Sequence, residues 1–256
     1  MKGIFGLDLS LKHWGLVELN EDGQVRNYWF MTDTRKYADA DPIHGLYYKA
    51  PADLDVESEN FRRVRLIKKY LGDRLGLGTE PGTSYGLASA HVAVEAYGYA
   101  TMSPKFAEIA EQTGIIKNWM LEEGAQIRLH DPDSVKLFGA TNGHALKKDM
   151  VLAMIGSMPD RPGKDRASFF PSDLIKPIHK KIGLKNPKVV NDYDGPGTDL
   201  ADAYWLAQLL RTEMMLRQGK ITLANLSESQ IRVFNRVTKA FPVNLLDRPF
   251  AKYVSC

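Results

Sequence analysis

The sequence predicts an α/β fold, a mixed five-stranded sheet flanked by helices, on three observations. Three strand-length apolar segments open the chain, Ile4 to Leu9, Trp14 to Leu19 and Gln24 to Phe30, joined by connections short enough for antiparallel pairing. Two further strand segments alternate with helical patterns between residues 91 and 157. The phrase GPGTDLADAYWLAQLL then starts a long helix with an apolar stripe.

The Asp22-Gly23 dipeptide sets the turn of the second hairpin. From Asp33 to Ser84 periodicity weakens, with Pro42, Pro51 and Pro81 and many acidic residues, so this segment reads as an insertion. Its exception is a helix around residues 58–75. There Phe61, Val64, Ile67 and Leu71 form the apolar face, while Arg62, Arg63, Arg65, Lys68 and Lys69 make the remainder basic. A short strand from His91 to Glu95 follows. After Pro104 comes a helix whose Phe106, Ile109, Ala110, Ile116 and Trp119 suit one buried face, ended by Gly124. Next are a strand at Gln126 to Leu129, a loop from His130 to Asn142, and a helix from about Ala145 to Ser157. Residues 158–197 hold six prolines and many lysines, which predicts a loop-rich insertion with a short helical hint near Leu174 to Ile182. Thr198 is the expected N-cap of the long helix, whose stripe runs through Leu200, Tyr204, Ala207 and Leu210. The domain expected is 1–218, with insertions at about 33–84 and 158–197, followed by a C-terminal extension over 219–256.

A chain of 256 residues with 44% hydrophobic content can bury a full core. Its single cysteine, Cys256, allows neither an intrachain disulfide framework nor a cluster of cysteine metal ligands, and a reducing, cytoplasmic setting fits best. Apolar runs fall short of a membrane span, and MKGIFGLDLS turns acidic before a signal-peptide core can form. A net charge of +3 means that nucleic-acid binding must come from local basic patches, such as the helix at 61–69 or Lys176, Lys180, Lys181 and Lys185, unless these charges are simply solvated. The six histidines, at 13, 44, 91, 130, 144 and 179, include no pair at the spacing of a helical zinc motif, and no GxxxxGK[ST] phosphate loop is present.

Four acids carry the chemistry. Asp8 lies inside an otherwise apolar strand, where a carboxylate is costly to bury without a metal or a partner such as an arginine. Glu95 ends the apolar run HVAVEAY in the same way. Asp199 and Asp202, three residues apart, share one face near a helix start. Carboxylates of this kind hold hard divalent cations, and a bridged pair of Mg²⁺ ions about 3.5–4 Å apart activates water for phosphodiester cleavage. Each acid alone has a plain alternative, an ion pair or a favourable helix-end charge; the combination is far more specific.

These segments resemble the RuvC-like Holliday-junction resolvases of the ribonuclease H-like superfamily. IFGLDLSLKHWGLVEL resembles the family's first hairpin with its metal-binding Asp, VAVEAYGYA its second acidic strand, and DLADAYWLA its terminal helix with paired Asp residues. DPDSVKLFGATNGHALKKDMV resembles its basic DNA-binding loop and following helix, the most discriminating stretch. The resemblance implies a ribonuclease H-like fold and Asp8, Glu95, Asp199 and Asp202 as catalytic metal ligands for two Mg²⁺ per site, which Mn²⁺ can replace. It implies phosphate contacts from Lys136 and Lys147, while Lys148 has no counterpart and reads as a surface charge. Where the family commonly has an aromatic wedge, this chain has Gly98 between Tyr97 and Tyr99; either tyrosine could unstack a junction base, and core packing accounts for them equally well. The function implied is a homodimeric endonuclease resolving four-way junctions or other branched DNA by paired nicks. Alternatives are cleavage of RNA or RNA–DNA hybrid by the same site, and a non-catalytic nucleic-acid-binding module of the same fold.

Overall fold

Side-chain alternation along the first strand sorts the core into two layers. In β1 (Ile4–Leu9), Phe5 and Leu7 join one apolar cluster while Ile4 joins the other, so Gly6 and Asp8 fall on the Ile4 side. The computed structural model describes residues 3–10, 13–75, 90–96, 104–158, 174–182 and 188–252. β1 pairs antiparallel with β2 (Trp14–Leu19), which pairs antiparallel with β3 (Val25–Thr32). Gly23 makes the turn between them at φ 82°. On the other side β5 (His91–Glu95) runs parallel to β1, and β6 (Gln126–His130) parallel to β5.

Three antiparallel strands followed by two parallel ones is the expected ribonuclease H-like arrangement. The sheet gains a sixth strand, however: β4 (Gly45–Tyr47), supplied by the 33–84 segment, pairs parallel with β3 and gives the order β4-β3-β2-β1-β5-β6. The same segment holds the short α1 (Arg35–Ala40) and α2 (Val56–Leu75).

One face is covered by α2 and α3 (Pro104–Glu122), packing Val64, Ile67, Leu71 and Ile116 onto Leu7, Leu16 and Val94. The other face carries α6 (Pro196–Arg217), against which pack α4 (Pro132–Ala140) and α5 (Lys147–Ser157), with α7 (Glu228–Phe234) packed in turn on α4. α6 is buried on nearly all sides, as a helix apolar around its circumference must be. It lies unusually close to the sheet because Gly6 and Gly15 leave room beneath it. A Cβ at Gly15 would sit 2.7 Å from the Asp199 carbonyl, and one at Gly6 would overlap the Ala203 carbonyl.

Several expectations are corrected. Residues 132–140, expected in a loop, form α4: Asp131 caps it by accepting from Ser134 N at 3.0 Å, and Pro132 occupies the first turn. The helical hint at 174–182 is instead β7 (Lys176–Ile182), hairpinned with β8 (Lys188–Asp194), where β-branched Ile178, Val189 and Val190 outweigh the lysines' helix preference. α6 begins at Pro196 after Gly195, so Thr198 is not the N-cap; its hydroxyl donates to the Gly195 carbonyl at 2.8 Å. Phe61 is 60% exposed rather than buried, because the buried face of α2 centres on Asn60, Val64, Ile67 and Leu71 and Phe61 lies about 100° around the helix from Asn60. Arg63, expected on the basic surface, is buried, paired with Glu59 at 3.1 Å. Within the C-terminal extension, Phe234 is fully buried and Ala251 bridges to Ile127 on β6. That segment is tied down by Arg128, which donates to the Arg248 and Pro249 carbonyls at 2.8 Å and pairs with buried Glu213 at 2.5 Å.

Candidate functional site

The local sequence puts Asp8 and Glu95 side by side. β1 and β5 are parallel with Leu7 opposite Val94, so the next residue on each strand is a carboxylate. Strand alternation places Glu95 on the face of Ala93, the α6 face, as it does Asp8 beside Gly15. The first turns of α6 pass over Gly15 and bring Asp199 and Asp202 down on the same spot. All four acids predicted from the sequence therefore converge, on two strands and a helix.

Burial and mutual charge act together on these carboxyls. Asp8 is 8% exposed; burial pushes its carboxyl well above the usual range, Lys147 counters this, and the charges of Glu95, Asp202 and Asp199 push it further up. Glu95 is pushed up to about 7, chiefly by burial and then by Asp202, against the pull of Lys147 and Lys136 and of a hydrogen bond with Asp8. Asp199 is raised by burial and Asp202, with Lys147 and His13 opposing. At the centre is the Lys147 ammonium, hydrogen-bonded to Asp202 and 3.6 Å from Asp199 Oδ1. These neighbours hold its pKa well above the ordinary lysine value despite its partial burial.

Lys147 thus stands among the carboxylates. α5 begins at this residue and is anchored on both sides: the Asp149 carboxylate accepts from Leu146 N at 2.9 Å, and Asp192 of β8 accepts from Lys148 N at 2.7 Å. Lys136, on α4 rather than in a loop, reaches close enough to influence Glu95. Tyr97, Gly98, Tyr99 and Lys185 lie outside the described residues. Lys148 is half-buried, and its backbone N–H is held by Asp192.

His13 was missed by the sequence reasoning, which considered histidines only as zinc pairs. A turn in which Ser10 Oγ donates to the His13 carbonyl at 2.6 Å carries it back beside the acids, where it acts on Asp199; Nε2 lies 3.6 Å from Asp33 Oδ1. Its place in the connection directly after the Asp8 strand was the available signal.

Among the described residues no group of three or more His, Cys, Asp or Glu side chains is already gathered as a metal cage. Glu95 shares a hydrogen bond with Asp8, while Asp199 and Asp202 face the Lys147 ammonium. Their donor chemistry, oxygen only and highly anionic, nonetheless fits hard divalent cations, and costly burial of like charges is the feature such an ion would relieve. Nor, among the described residues, is any helix long and apolar enough to cross a membrane.

No family model matches the chain, and no curated protein does. Among solved structures it is similar to Thermus thermophilus RuvC, at 16% identity and a TM-score of 0.45 over 85% of this chain and 96% of that one. It is also similar to T. thermophilus RuvC in complex with Holliday junction substrate, at 14% identity and a TM-score of 0.43 over 86% of this chain and 97% of the other.

Proposed function

We propose that the chain is a Mg²⁺-dependent endonuclease that cuts branched DNA, four-way junctions above all, by phosphodiester hydrolysis. The observation that carries this is the convergence of Asp8, Glu95, Asp199 and Asp202 around the Lys147 ammonium on one face of the sheet. Two divalent ions, Mg²⁺ or Mn²⁺, would supply a water of lowered pKa and charge stabilisation at the attacking and leaving oxygens. Asp8, Glu95, Asp199 and Asp202 would hold them. In the free protein Asp8 and Glu95 retain protons at higher pH than ordinary carboxyls do, and they release them when cations arrive. Lys147 and Lys136 neutralise phosphate oxygens next to the cut, and Lys147 exchanges its carboxylate partners for that role.

The junction as substrate is supported by the likeness of the 131–151 segment to the resolvase loop and helix, with Tyr97 and Tyr99 as candidates to stack on an unpaired base. Paired nicks across a junction need two sites, hence a homodimer, and we place it in the cytoplasm. The test is cleavage of an end-labelled immobile four-way junction in Mg²⁺ by wild type and Asp199→Asn, with duplex, RNA–DNA hybrid and RNA controls. Junction cutting by wild type that drops at least 100-fold in the variant is expected. Preference for hybrid or RNA would move the substrate assignment, and tight binding of every substrate without cleavage would leave a binding module.

A further inference from the structure

α2 presents a stripe that the carboxylate site does not use. Phe61, Arg62, Arg65 and Lys69 are all exposed, and Phe61, Arg65 and Lys69 follow one another at four-residue spacing along the helix. Phe61 is 60% exposed, a large aromatic left in water. None of the three cations pairs with a carboxylate among the described residues, in contrast to Arg63 on the buried side, which is held by Glu59, Gln112 and Asn60.

The stripe is also fixed in relation to the acids. Arg63 Nε donates to Gln112 Oε1 at 2.7 Å, and Gln112 Nε2 donates to the Ser10 carbonyl at 3.2 Å, just past the end of β1 that carries Asp8. The N-terminal half of α2, with Phe61 and Arg62, is therefore tethered to the carboxylate end of the sheet, though α2 covers the face opposite α6.

We propose that this stripe is a second nucleic-acid contact: Arg62, Arg65 and Lys69 track the phosphates of a DNA arm leaving the cut, and Phe61 stacks on an unpaired base where that arm branches. This rests on the proposed nuclease function. Charge selects the occupant. Three cations around an aromatic, without carboxylate partners among the described residues, complement a polyanion, and basic surfaces combined with a stacking platform are how strands are held without sequence preference. A second copy of the chain seated there by a twofold axis would oppose like charges.

The experiment measures binding of a four-way junction with a single 2-aminopurine at the branch, in Ca²⁺ to prevent turnover, over a range of salt concentrations. The proteins are wild type, Phe61→Ala, Phe61→Trp and the triple variant Arg62→Gln/Arg65→Gln/Lys69→Gln. For the triple variant the slope of log affinity against log salt should become shallower by about 2 to 3, the value for three phosphate contacts. Phe61→Ala should weaken binding about tenfold and abolish the 2-aminopurine signal, while Phe61→Trp keeps both. Melting temperatures within a degree or two of wild type would show that the exposed substitutions leave the fold intact. Unchanged slope and signal with wild-type binding intact would overturn the stripe but leave the nuclease function standing. Wild type that binds no nucleic acid would overturn both. A change of oligomeric state in Phe61→Ala would assign the surface to a second copy and refute the DNA contact.

Discussion

Replacing Lys147 by glutamine removes the ammonium that joins Asp199 to Asp202 and balances Asp8 and Glu95. At 3.6 Å from Asp199 Oδ1, a unit charge pair is worth about 4–5 kcal/mol at an effective dielectric constant of about 20. The Lys147 side chain is 35% exposed, so solvent and salt trim that figure. Protons taken up by Asp8 and Glu95 relieve part of the remaining repulsion, at about 1.4 kcal/mol per pKa unit. The net expectation is a metal-free protein less stable by about 2–3 kcal/mol at pH 7, read by urea denaturation in EDTA. Two controls follow from the cause. Adding Mg²⁺ or Mn²⁺ should shrink the difference, because divalent ions take over the balancing charge. Lowering the pH to 5 should shrink it as well, because the raised carboxyls become neutral. Equal stability of the two proteins in EDTA, or a deficit that neither metal nor acid reduces, would refute the idea that Lys147 neutralises the cluster.

Glu95 has a folded-state pKa of about 7 against an ordinary 4.5, so it favours the fold when protonated. Its contribution is fully present below about pH 4.5 and is lost as pH rises through 7, a change of at most about 3 kcal/mol. In EDTA, thermal stability should therefore decline over that window and Glu95→Gln should flatten the decline; an identical pH profile in the variant would contradict the assignment. Gly15→Ala should push α6 away from β2 and carry Asp199 with it, costing about 1–3 kcal/mol and weakening Mn²⁺ binding by calorimetry, whereas unaltered Mn²⁺ affinity would show that the close approach does not position the acids. Glu213→Ala should strand Arg128, 2% exposed, without its bidentate partner and cost about 3–5 kcal/mol in urea unfolding; a loss below about 1 kcal/mol would mean that the Arg248 and Pro249 carbonyls suffice.

The five core strands and the antiparallel pairing of the first three were legible in the sequence because apolar strand-length runs and the Asp22-Gly23 turn are local signals. So were the four acids, since a carboxylate in an apolar strand or a pair at three-residue spacing stands out against its neighbours. Local signals failed where long-range packing set the outcome. β7 reads as a lysine-rich helical stretch until β8 pairs with it, and the loop at 132–140 becomes α4 once it packs on α6. Phe61 matches an apolar spacing, but which arc of α2 is buried is set by tertiary packing, and the buried arc carries Asn60, Val64 and Ile67. The four acids show the same division. Residue type singled out the four carboxylates, whereas the ammonium of Lys147 at their centre, the lysine at 136 that acts on Glu95 and the turn that returns His13 to Asp199 all join residues far apart in the chain. No periodicity encodes such distances. They arise from glycines that let one helix settle onto two strands.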